Sequence, residues 1–230
     1  APTDDGAGPT VTMKVESLGA PLSWIPTVGT PRALDRDVTA DPERTMLYVD
    51  PPVQPGSVVQ VQVRPPVTDQ DTLAQASSTA AVADDFSAAF QSTAQRLAGT
   101  GGSTYERLRR LEAALRTDYR LSADGPAGVN AGLLRLFVET NKQGTDEQFV
   151  AAFTLMARSL GARARVAVGY LLAESQEIVT TSDARAWPEV WFDGIGWVAF
   201  DPVPTTTVTQ LPGPATRIGV GSGPTPPPLP

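Results

Sequence analysis

Three carboxylates and three tryptophans crowd one short stretch: Asp183, Trp187, Glu189, Trp191, Asp193 and Trp197. A carboxylate pair can supply the acid and the base of glycoside hydrolysis, provided the two groups are held at a fixed separation. Nothing in the sequence sets such a separation, and turn or strand-edge placement accounts for Asp183, Glu189 and Asp193. Trp187, Trp191 and Trp197 are candidates for lining a binding groove, although aromatic residues on strands more often fill a core. The other chemistry-bearing types are missing, since the chain has no Cys and no His. That excludes disulfides and thiolate nucleophiles. It also removes the commonest metal ligand and the commonest general base. A zinc site would have to be all-carboxylate, which is unusual, so neither a metal nor a cofactor is expected.

Charge narrows the partners further. The net charge is -7 and the pI about 4.6, whereas phosphate neutralisation needs a basic surface. Nucleic acid is therefore excluded as a partner, and an anionic membrane surface is disfavoured. Lys14 and Lys142 are the only lysines; with the high Ala and Pro content, the Arg bias is that of a high-GC bacterial genome. No apolar run approaches the roughly 20 residues that span a bilayer. The sequence starts with Ala and shows no signal peptide, as expected of an excised or processed piece of a longer protein.

Several elements must position these residues. Between Thr10 and Pro66 the pattern is one of short alternating runs broken by prolines: Val11–Val15, Thr45–Val49 and Val58–Val63. Period-two alternation predicts strands with one wet face, hence a small β subdomain over 1–66 behind a loose polar end. Residues 67–102, rich in Ala, Ser, Thr and Gln, read as a weakly amphipathic helical connecting region. Ser103 with Glu106 forms a capping box opening a helix with Tyr105, Leu108, Leu111, Leu115 and Tyr119 on one face. Arg107, Arg109, Arg110, Arg116 and Arg120 lie off that face and read as solvated, with a docking patch as the alternative. A second helical stretch holds Leu133, Leu134, Phe137 and Val138. Thr145 with Gln148 fits another capping box, and Phe149, Phe153, Met156 and Leu160 stripe the helix it opens, with Gly161 as the stop. Arg163–Tyr170, Trp187–Phe192 and Trp197–Asp201 read as strands, the last two joined by the Asp193-Gly194-Ile195-Gly196 turn. The Thr-, Pro- and Gly-rich residues 205–230 form an extended linker by composition.

Three ordered blocks in this region carry a resemblance. They are Gly144-Thr145-Asp146-Glu147-Gln148-Phe149, Arg158-Ser159-Leu160-Gly161-Ala162-Arg163-Ala164-Arg165-Val166, and Asp183-Ala184-Arg185-Ala186-Trp187-Pro188-Glu189-Val190 with Gly196-Trp197-Val198-Ala199-Phe200-Asp201-Pro202. Together they resemble the transglutaminase-like family, most closely its bacterial membrane-anchored members, which hold the catalytic core outside the membrane. The resemblance implies an α+β fold: a papain-like transglutaminase core over 103–204, one helix packed on an antiparallel sheet, behind the N-terminal β subdomain.

The family's chemistry uses a Cys-His-Asp triad: a thiolate at a helix N-terminus, a His that activates it and an Asp that orients the His. This sequence puts Asp146 at the Cys position and Arg185 at the His position; Asp201 alone remains, and Thr145 replaces the usual aromatic. A carboxylate attacking an amide would give a high-energy anhydride, and Arg stays protonated at any useful pH. The resemblance therefore implies a catalytically dead module for binding or scaffolding in the cell envelope. Its partner would be an envelope protein or a peptide or glycan ligand, and it would be anchored through flanking segments. The alternatives are an enzyme of another chemistry, a hydrolase, in the same cleft, or a structural spacer. Arg185 is further expected to bridge Asp146 and Asp201 as an ion-pair relic of the triad. An acid in the first helical turn also explains Asp146 without any such history.

Overall fold

The computed structural model describes residues 9–35, 39–41, 46–78, 85–122, 128–170, 178–204 and 218–220. The loose N-terminal end, Thr45 and most of the linker over 205–230 lie outside the described residues. The chain divides into two compact units: residues 1–66, 169–185 and 209–230 form one, and residues 67–168 and 186–208 form the other.

The first unit is built from strands whose prolines and glycines keep them short. They are β1 (Val11–Ser17), β2 (Leu22–Ile25), β3 (Thr30–Leu34), β4 (Thr39–Asp41), β5 (Met46–Val53) and β6 (Val58–Arg64). Along β6 exposed and buried residues alternate, with Val59, Val61 and Val63 inside, because successive side chains in a strand point to opposite faces. β1 runs antiparallel to β6 and β3 flanks β6 on its other edge, while β2 and β4 flank β5 in a second sheet. Met13, Val15 and the β6 valines share one core with Ile25, Leu47, Val49 and Val53 of the second sheet. Gly29, at φ +76°, brings its Cα so close to the Arg64 carbonyl that no Cβ would fit.

The second unit opens with α1 (Gln70–Gln75), α2 (Asp85–Ala88), α3 (Gln91–Ala98) and α4 (Thr104–Asp118). Composition assigns α1–α3 to a connecting region. In the structure Leu73, Phe90, Ala94 and Ala98 are buried in the same core as the α4 stripe. The Ser103–Glu106 capping box forms in both directions. After β7 (Arg120–Leu121), α5 (Ala131–Arg135) continues as a π-helical turn over Leu136–Asn141. That turn ends at Lys142, which takes a left-handed φ of 52°. β8 (Gln143–Gly144) pairs with β7 and leads into α6 (Asp146–Ser159), capped by Thr145 and Gln148.

α6 packs against a three-stranded sheet of β9 (Ala164–Tyr170), β11 (Ala184–Phe192) and β12 (Gly196–Ala199), with β11 central. Phe153 of α6 meets Phe200 at 5.2 Å between ring centroids. Val190, Phe192 and Val198 complete that face. β11 and β12 are antiparallel, and Phe192 pairs with Gly196 across the turn. Gly194 at φ +74° and Gly196 at φ +102° adopt backbone conformations that glycine tolerates best. The remaining strands, β10 (Ile178–Val179) and β13 (Ile218–Val220), belong to the first unit, where β13 lies parallel between β10 and β1. The chain is α+β, with the predicted helix and three predicted strands in place.

Candidate functional site

Asp146 is the first residue of α6 and is exposed. Its Oδ1 accepts the backbone N–H of Glu147 at 3.1 Å, in keeping with an acid beside the positive end of a helix dipole. Thr145 is buried, and its hydroxyl lies 3.3 Å from Glu147 Oε2. Gln148 does more than cap. Its Oε1 accepts the Thr145 N–H at 3.2 Å and its Nε2 donates to the Gly128 carbonyl at 2.9 Å, so it ties the start of α6 to the preceding loop.

Asp201 is held by α4. Glu112 and Arg116 lie one turn apart on that helix and both reach it. Glu112 Oε1 accepts the Asp201 N–H at 2.6 Å. Arg116 Nη1 donates to the Asp201 carbonyl at 2.9 Å and to its Oδ2 at 2.7 Å. The other carboxylate oxygen accepts the Val203 N–H. Arg109 pairs with Glu112 from the preceding turn. Burial pushes the Glu112 carboxyl above its ordinary pKa, against the opposing pull of the Asp201 N–H and Arg109.

The partners that the structure gives Asp201 and Arg185 lie within their own units. Asp201 is satisfied by Arg116, while Arg185 Nη1 donates to the carbonyls of Ser182 at 3.1 Å and Ala184 at 2.7 Å. The sequence offered no signal for Arg116, because the pairing spans 85 residues. The Arg cluster on α4 resolves the same way. Arg107 Nε caps the Gly99 carbonyl at 3.2 Å and Arg110 Nε caps Ala98 at 2.7 Å. These are the free carbonyls at the end of α3, where cations are favoured.

The Asp201–Arg116 pair also fixes a magnitude. Its side chains are 33% and 34% exposed, so water screens the attraction. Replacing Arg116 by Ala should therefore cost only about 0–1 kcal/mol in a denaturant titration. A loss of several kcal/mol would mean that the pair is effectively dry.

Trp187, Trp191 and Trp197 are half-buried on the sheet face that alternates away from Val190 and Phe192. They neither fill the core nor leave their rings free. Trp191 and Trp197 meet edge to face at 5.5 Å, with the Arg163 guanidinium 5.4 Å from each ring. Arg165 lies 3.9 Å over Trp197 and donates twice to Glu189 Oε2, from Nε and Nη2. Trp187 Nε1 donates to the other Glu189 oxygen at 3.2 Å. This ladder of alternating cations and indoles gives Glu189 a structural role. Among the described residues no three His, Cys, Asp or Glu side chains converge on a metal-sized site.

Comparison with known proteins agrees with this architecture. Residues 91–202 match the model of the transglutaminase-like superfamily. Two structures of the periplasmic domain of TgpA from Pseudomonas aeruginosa share the fold. One superposes with a TM-score of 0.58 at 20% identity, covering 86% of this chain and 71% of that one. The other, bound to ethylmercury, gives 0.59 at 19%, covering 85% and 72%. An uncharacterized protein of Bacillus subtilis, YebA, is 35% identical over an alignment of 75 residues that covers 29% of this chain. The matched stretch spans only 10% of that relative's length. Residues 91–202 thus form a transglutaminase-like domain by this match.

Proposed function

We propose that this chain is a catalytically inactive transglutaminase-like domain, serving as an extracytoplasmic binding or scaffolding module of a bacterial cell envelope. The observation that carries it is the joint replacement at the triad: Asp146 and Arg185 stand where the family motifs place the nucleophile and the base, in a chain without Cys or His. The engagement of the Asp201 carboxylate by Arg116 supports the same reading, because the group that would orient a base already holds another cation. The likeness to domains described as periplasmic supports the location, with anchoring through sequence flanking this piece. The surface offered to a peptide, glycan or protein partner is the sheet face bearing Trp187, Trp191 and Trp197.

Losing either the nucleophile or the base costs about 10⁶ in turnover in a serine protease triad, and here both are replaced. The purified chain should show no amine incorporation, glutamine deamidation or peptide cleavage above a heat-treated control. Turnover that survives purification and disappears in Asp146→Ala would overturn the assignment. Fractionation of cells expressing the full-length protein tests the location; recovery in the cytosol alone would contradict it.

A further inference from the structure

We propose that the edge strand β9 pairs with β9 of a second copy of this chain, antiparallel about Ala167, to make a symmetric dimer. Among the described residues β9 closes one end of the β12-β11-β9 sheet. Two hydrogen bonds show which way its backbone faces. The Arg163 carbonyl accepts the Trp191 N–H of β11 at 2.8 Å. The next carbonyl, that of Ala164, turns to the other side and accepts Arg158 Nε at 2.9 Å. Along a strand the N–H and C=O of successive residues point alternately to the two neighbouring positions, so those of Val166 and Val168 face the sheet edge. The same two residues carry the exposed side chains. Val166 is 47% exposed and Val168 72%, the highest value among the large hydrophobic residues described. Both lie on the face that Ala164 begins inside the core.

Edge strands are usually guarded by Lys, by Pro, by brevity or by a covering element. β12, the other edge of this sheet, is four residues long and runs into Asp201, which α4 holds. β9 has seven residues and neither Lys nor Pro. Its one charge, Arg165, is spent on Glu189, whose Oε2 accepts from both Nε and Nη2. A second copy fits this edge by register. Antiparallel pairing about Ala167 sets Val166 of each copy opposite Val168 of the other, and each such pair exchanges both of its N–H···O bonds. β-branched side chains pack well against neighbours on a pleated surface. Like charges directly opposite would be destabilising, and this register sets no arginine against another. The twofold axis stands perpendicular to the sheet, so the two three-stranded sheets join with both tryptophan faces on one side. On the binding role proposed above, that doubles the binding surface; the pairing itself does not depend on that role.

The contact is small and each copy carries a net charge of -7, so a weak dimer that added salt strengthens is the expected result. Sedimentation equilibrium of the 230-residue chain, from roughly 1 µM to 1 mM, should show the mass of one chain at the low end and a rise towards two at the high end. Val168→Lys, at an exposed position, should abolish the rise and leave the circular dichroism and thermal midpoint at the low concentration unchanged. The chain has no Cys, so Ala167→Cys reads the register directly. The two residues at the axis form a non-hydrogen-bonded pair with Cα atoms about 4.5 Å apart, within the range that a disulfide bridges. Air oxidation should therefore link Ala167→Cys chains in several-fold higher yield than chains carrying Ala113→Cys, an exposed position on α4. The mass of one chain at every concentration overturns the proposal. So does association that survives Val168→Lys, or a disulfide yield at 167 no higher than at 113.

Discussion

Replacing Phe149 by Ala should destabilise the second unit by about 3–5 kcal/mol, the range for emptying a buried aromatic site. Phe149 lies one turn into α6 and is fully buried. Its ring meets Phe137 at 4.7 Å and Tyr119 at 6.5 Å, and those two meet each other at 5.5 Å, all edge to face. The three rings come from α6, the π-helical turn and the residue that ends α4, so one side chain ties three elements together. The site cannot collapse easily. Phe137 also lies close enough to Gly144 that a Cβ there would sit 2.8 Å from its ring, and the Tyr119 hydroxyl is committed to the Val138 carbonyl at 2.9 Å. Denaturant unfolding of Phe149→Ala beside Phe149→Leu is the measurement, with Leu expected to recover much of the loss. A cost below about 1 kcal/mol for Ala would show that the cluster repacks and that α6 is held elsewhere, well short of the usual price of a core cavity.

What the sequence reveals of this fold is what lies close along the chain. Both capping boxes were legible because each joins residues three apart. The α6 stripe was legible because Phe149, Phe153 and Met156 fall on one helical face. The hairpin of β11 and β12 was legible from its glycine-bearing turn. What escaped depends on partners remote in sequence. Ala94 and Ala98 mark α3 as core only through what packs on them. Arg107 and Arg110 resembled a solvated face until the end of α3 was placed beside them. The parallel pairing of Val220 with Ser17 joins residues from opposite ends of the sequence, and no periodicity announces it. The same limit applies to the partner of Asp201. Charge signs at three aligned positions suggested that Arg185 joins the two carboxylates, whereas Asp201 pairs with the arginine that α4 delivers.

Glu112 carries the second large expected effect, and its sign depends on pH. Its carboxylate is 4% exposed as a residue and accepts the Asp201 N–H at 2.6 Å. Glu112→Ala removes that acceptor and should cost about 1–3 kcal/mol, the penalty for a buried donor left without a partner. Glu112→Gln keeps an oxygen in place for the Asp201 N–H and removes only the charge. The two variants therefore separate the hydrogen bond from the ionisation. Burial raises the Glu112 pKa in the folded chain, so between the unfolded value, about 4.3, and that raised value the folded state binds the proton more tightly than the unfolded state. Stability contributed by this group is then fully present below the unfolded pKa and is lost as pH rises through the window to the folded pKa. Unfolding free energies of the unsubstituted chain and of Glu112→Gln, measured from pH 4 to pH 8, should diverge in one direction. The unsubstituted chain should lose stability relative to Glu112→Gln as pH rises, and the difference should level off once Glu112 is ionised in both states. The opposite slope would mean that Arg109 and the Asp201 N–H outweigh burial and hold the folded pKa down. Glu112 would then be a net electrostatic anchor for Asp201, rather than a buried charge tolerated for the hydrogen bond it makes.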